Sequence, residues 1–186
     1  MKRYLVFCLL GFVVWAGIAA DDKQPVKHSA NRVAPAENQV LVPVAAHGTT
    51  QVDGLFGDQF ISVKVTTHEI DIGKPGDSIP EKKPTNCTYG RHPCSLVDNL
   101  EVTVTGKEVV VARSVYADLA DVNWITLRQK EKGKFVLKLT CGDASEAYAT
   151  EVIFDKEMVR QRERIDGSTQ AVSERTIYFS LPVLDD

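Results

Sequence analysis

The residues most open to a chemical reading lie in Met158-Val159-Arg160-Gln161-Arg162-Glu163-Arg164-Ile165. Alternate residues of an extended strand share a face, so Arg160, Arg162 and Arg164 would form one cationic stripe. Guanidinium groups fork onto carboxylates and phosphates, which makes the stripe a candidate docking face for an anionic partner. The plainer use is internal. Glu174 sits on the expected partner strand, with Thr176 and Tyr178 on the same alternating face, so the arginines would pair across the sheet. Tyr178 would then stack under one of them.

The cysteines come next. Cys87 and Cys94 bracket the six residues Thr-Tyr-Gly-Arg-His-Pro. So short a loop closes at low entropic cost, and Gly90 and Pro93 supply its turn chemistry, so a Cys87–Cys94 disulfide is expected to staple this loop. Cys141 ends the apolar-alternating run Phe135–Thr140 and reads as a buried small hydrophobe. A reactive thiol beside Asp143 is the sharper reading, but a neighbouring anion raises a thiol's pKa and blunts it.

Acids and histidines carry weaker signals. Asp118 and Asp121 are three residues apart and would share a face of a short helix, with Asp143 and Glu146 on a nearby loop. Four such carboxylates could bind calcium or supply an acid and a base. As D-x-x-D spacing is common, solvated faces and turn caps also account for them, as they do for Asp53 and Asp58. His28, His47, His68 and His92 show no H-x-H or H-x-x-x-H spacing, and no C-x-x-C pair is present, so neither a metal site nor a cofactor is expected. There is no G-x-S-x-G elbow and no S-x-x-K set, which leaves nucleophilic hydrolysis with little support.

These groups must be carried by a chain of 186 residues with formal net charge -3, 44% hydrophobic and 25% charged, which is ordinary globular composition. Met1–Ala20 has the layout of a secretory signal peptide: Lys2 and Arg3, then the apolar run Leu5–Ile18, then Ala19-Ala20 before Asp21-Asp22. The run falls short of the ~18–20 residues that span a bilayer core, and no transmembrane segment is expected once it is removed. Its loss takes away two cations and no acid, and the acidic remainder argues against nucleic acid as a partner. A bacterial periplasmic or secreted location is expected, where disulfides form.

Residues 21–50 read as a flexible tail with Pro25, Pro35 and Pro43, although Val40-Leu41-Val42 and Val44 could add an edge strand. Residues 51–186 read as one β domain. Ile61, Val63 and Val65 alternate with polar residues, as do Leu100, Val102 and Val104 before the Gly106-Lys107 turn toward Val109–Val111. Further strands are expected at Trp124–Leu127, Phe135–Thr140, Ala147–Phe154, Val159–Ile165 and Arg175–Leu181. One short helix is expected near 114–121, with Ser114 as its N-cap. About eight strands with turns every 8–12 residues imply an all-β fold, a single antiparallel sandwich or barrel of immunoglobulin-like architecture without the cysteine spacing that bridges two sheets.

Such a domain, with a stapled loop and no catalytic motif, reads as a non-catalytic binding module. An inhibitor, an immunity-type protein or an assembly subunit would fit, its partner another envelope protein or an anionic polymer. Arg160, Arg162, Arg164 and Tyr178 are its candidate binding residues. A small envelope hydrolase built on the acids or a histidine is the alternative.

Overall fold

The computed structural model describes residues 39–73, 86–88 and 91–180. The expected signal peptide and most of the expected tail lie outside these residues. Ten strands follow in order: β1 Gln39–Pro43, β2 Gly48–Phe56, β3 Gln59–Ile70, β4 Cys94–Val104, β5 Lys107–Glu108, β6 Val122–Glu131, β7 Lys134–Cys141, β8 Tyr148–Phe154, β9 Val159–Asp166 and β10 Val172–Ile177. They form a six-stranded sheet, β1-β6-β7-β8-β9-β10, and a four-stranded sheet, β2-β3-β4-β5. Neighbouring strands in both sheets pair antiparallel. The fold is the all-β sandwich that the alternation implied.

Period-two patterning fixes which side chains point inward. Ile61, Val63 and Val65 of β3, Leu100 and Val102 of β4, Ile125 and Leu127 of β6 and Leu137 and Leu139 of β7 meet in one buried cluster. Phe135 stands at its centre, with ring centroids 5.9 Å from Phe56 and 5.6 Å from Phe154. Each fully buried phenylalanine of this kind stabilises the fold by about 1.5–3 kcal/mol. A smaller cluster of Ile72, Cys87, Cys94 and Ala120 lies beside it.

Three boundaries differ from expectation. β1 is the edge strand that Val40-Leu41-Val42 could add, pairing with β6, but β2 already starts at Gly48, within the stretch read as tail. The second arm of the hairpin expected at Val109–Val111 is reduced to Lys107–Glu108. Beyond it the chain leaves the four-stranded sheet: Val109 N donates to Val102 O, Val110 N donates to Glu157 O, and Val159 N donates to Val110 O. This corner hydrogen-bonds to both sheets. The helix expected near 114–121 is a single 3-10 turn, Arg113–Val115, capped by Ala112 with no side-chain bond. Ser114 lies inside the turn and is not its cap, and Asp118 and Asp121 share no helical face.

Candidate binding surface

The arginine stripe forms only in part, and not as an outer face: a register shift between Ile153 and Phe154 takes Arg160 out of the alternation that Arg162 and Arg164 keep. β8 and β9 pair Val152 with Arg162 and Thr150 with Arg164, and opposed residues of an antiparallel pair share a side. Val152 is a fully buried core residue, so Arg162 points inward and is only 3% exposed. Its Nη2 donates to both Asp118 oxygens, at 2.7 and 2.6 Å, and its Nη1 donates to Glu174 Oε1 at 2.8 Å. One buried cation thus ties the connection after the 3-10 turn and strand β10 to β9. Its Nε has no hydrogen-bond partner.

The neighbouring arginines are engaged in the same manner. Arg164 lies 4.0 Å over the Tyr148 ring, and its Nη1 donates to Asn86 Oδ1 at 2.9 Å. Asn86 in turn donates to the carbonyl of Asp118. Arg160, the second residue of β9, reaches back to the β8–β9 turn: its Nε donates to Asp155 Oδ2 at 2.6 Å and its Nη2 to Glu157 Oε2 at 3.2 Å. Burial pushes the Asp155 carboxyl up, but backbone N–H donors from Met158 and Glu157 and the Arg160 guanidinium outweigh it and hold the group below the usual range. The pairing with Glu174 is therefore the internal one expected of cross-strand neighbours. The docking role is withdrawn for Arg162, whose donors are directed at carboxylates of its own chain. Tyr178 is not stacked under an arginine: its hydroxyl lies 3.3 Å from Ser114 Oγ, and the stacking ring is Tyr148.

The other candidates are structural as well. Cys87 and Cys94 are disulfide-bonded with Cα atoms 5.7 Å apart. The bridge does more than staple a loop, because both cysteines are buried and Cys94 opens β4 opposite Ile70. Asp121, expected on a solvated face, is 1% exposed. Its carboxylate accepts from Thr88 N at 2.8 Å and Ser95 N at 2.9 Å, one amide at each end of the disulfide loop. Its φ of 50° is left-handed, a conformation that aspartate tolerates better than most residues. Asp143 caps the turn Ala144–Glu146 through Ala144 N. His68 pairs with Asp98 at 2.7 Å, and the His92 ring bonds to the Gly73 carbonyl. Cys141 is fully buried, and burial pushes its thiol up to about 12, the reverse of what a nucleophile needs. Among the described residues no group of three His, Cys, Asp or Glu side chains could hold a metal ion.

What these internal pairings leave open is the outer end of the six-stranded sheet. β10 is its last strand, and Val172 is 45%, Ile177 53% and Phe179 77% exposed. Ile177 and Phe179 line a groove of about 500 Å³ with Ile153, Gln161, Lys134 and Arg160. The sequence does not single out this patch: it places the last strand at Arg175–Leu181 and draws attention only to the face that carries Glu174, Thr176 and Tyr178. No family model, curated protein or solved structure matches the chain.

Proposed function

We propose that this chain is an exported, non-catalytic interaction module that binds another polypeptide at the β9–β10 end of its larger sheet. The observation that carries this reading is the exposed apolar pair Ile177 and Phe179 beside the groove, at a strand with no neighbour on its far side among the described residues. An exposed aromatic and an aliphatic residue at a sheet edge are the groups that anchor protein interfaces. Further support comes from the groups a hydrolase would need. Asp118 is held by Arg162, Asp121 by two amides, and Cys141 is buried with a raised pKa. The signal-like Met1–Ala20 and the Cys87–Cys94 bridge suit an oxidising compartment outside the cytoplasm.

Site-specific photocrosslinking in the native cell tests the reading. A benzophenone side chain at position 179 is expected to trap a protein in the envelope fraction, while the same probe at Lys132, in the β6–β7 turn, traps none. Intact mass of the recovered chain is expected to lack residues 1–19 or 1–20. Equal, background cross-linking from both positions would overturn the binding surface, and a cytoplasmic chain retaining residues 1–20 would overturn export.

A further inference from the structure

We infer that the occupant of the β10 edge is the β10 strand of a second copy, paired antiparallel about a two-fold axis through Ile177. This rests on the binding surface proposed above and names its partner. Tyr178 N donates to Arg160 O at 2.9 Å, continuing the β9–β10 ladder one residue past Ile177. Backbone groups of an antiparallel strand alternate sides, so Glu174, Thr176 and Tyr178 turn theirs toward β9. Arg175, Ile177 and Phe179 turn their N–H and C=O groups toward the open side. The free edge therefore offers three residues spaced to accept one more strand.

Exposed edges normally carry a blunting device: a proline, a lysine, a short length or a distorting bulge. The other end of the same sheet has Pro43 in the five-residue β1. β5 is two residues long. Val172–Ser180 contains neither proline nor lysine, and its one bulge lies between Val172 and Glu174, before the regular part. Its two charges are each paired within the chain, Glu174 with Arg162 at 2.8 Å and Arg175, still exposed, with Glu163 at 2.6 Å. The edge is a regular backbone flanked by Arg175, Ile177 and Phe179.

Self-complementarity selects a second copy over an unrelated strand. A two-fold axis perpendicular to the sheet keeps each residue on its own face, so only registers that oppose residues of like parity are open to two identical strands. Centring on Arg175 would set like charges against each other. Centring on Ile177 sets Ile177 against Ile177 and Arg175 against Phe179 in both directions. An aliphatic pair is then flanked by two cation–aromatic contacts, and the free N–H and C=O groups of all three residues are used.

Sedimentation equilibrium and amide hydrogen exchange on the full chain decide the matter. Mass is expected to double with rising concentration. Amides of Arg175, Ile177 and Phe179 should become protected in step with it, while Glu174, Thr176 and Tyr178 stay protected throughout. Ile177→Pro removes an edge N–H without touching the β9 ladder, and Ile177→Lys places a charge on the axis. Each should weaken dimerisation more than tenfold with melting of the monomer retained. Ile177→Cys should form a disulfide-linked dimer under mild oxidation, since opposed Cα atoms of a hydrogen-bonded pair lie ~5.5 Å apart, within disulfide reach. A single-chain mass at every concentration, with fast exchange at the three edge amides, would overturn the inference. If position 179 nevertheless cross-links to a different protein, the binding surface stands and only the second copy is lost. If it cross-links to nothing, both fall.

Discussion

Replacing Arg162 by alanine should lower Tm by roughly 5–10 °C. Breaking a fully buried ion pair by removing one partner costs about 3–5 kcal/mol, because the remaining charge is stranded. Here the arginine is 3% exposed but its partners are not buried with it: the side chains of Asp118 and Glu174 are 40% and 50% exposed. Both carboxylates regain water when the guanidinium is gone, and Arg164, 4.0 Å from Asp118, partly compensates the first. That brings the expected loss down to about 2–3 kcal/mol, most of it from the space and the hydrogen bonds left behind. Near 2–4 °C per kcal/mol for a chain of this size, the Tm shift follows. Arg162→Met should cost markedly less, about 1 kcal/mol, because a long apolar chain refills the site and the unpartnered Nε disappears with the guanidinium. Thermal and urea melts followed by circular dichroism read all of this. A double-mutant cycle with Asp118→Asn should show a coupling near 1 kcal/mol. An alanine variant that melts within about 1 °C of the parent would refute an internal role for the stripe and return Arg162 to the surface.

Asp121→Ala should cost about 2–3 kcal/mol, because it strands two buried N–H groups and leaves an alanine at positive φ; Asp121→Asn, which tolerates that φ and keeps one acceptor, should cost less, as urea melts will show. Cys141 should resist alkylation by thiol reagents at pH 8 in the native chain and react once unfolded, because burial both raises its pKa to about 12 and blocks access; mass spectrometry of labelled protein reports the difference. Asp166 is held down to about 2 by donors from Ser168 and Thr169 in the β9–β10 turn. Its folded pKa lies below the unfolded value near 4, so the turn's contribution is present above pH ~4 and lost as pH falls through 2, which carboxyl NMR titration of the native protein should show directly.

The sandwich was legible because its signal is local. Ile61, Val63 and Val65, or Leu137 and Leu139, declare a buried face by period two alone, and the seven-residue separation of Cys87 and Cys94 admits few alternatives. The arginine repeat at 160–164 was legible for the same reason, although the register shift that takes Arg160 out of it was not. Which side of the sheet it faced was not, because an arginine on the core side of a strand is unusual, and its partner Asp118 lies 44 residues away. Asp121 was hidden similarly: its acceptors' donors, Thr88 and Ser95, are 33 and 26 residues distant. The helix expected near 114–121 illustrates a different loss. Ser114 and the following residues have adequate helical propensity, but Val115 and Leu119 are both drawn into the core, and packing shapes the segment as a 3-10 turn and further turns. β10 begins three residues and ends four residues earlier than expected, because its apolar positions are exposed and alternation there marks an edge rather than a core face.

The corner at Val109 and Val110 bears on how this molecule comes apart. Two sheets held only by side-chain contact can part as separate leaves, each keeping its own ladder. Here a single stretch of backbone is stitched into one leaf through Val102 and into the other through Glu157 and Val159. Opening either leaf at that side tears a thread that belongs to both. The two halves of the sandwich are therefore bound to a common fate, and the protein should lose its structure as one cooperative unit instead of shedding a sheet at a time.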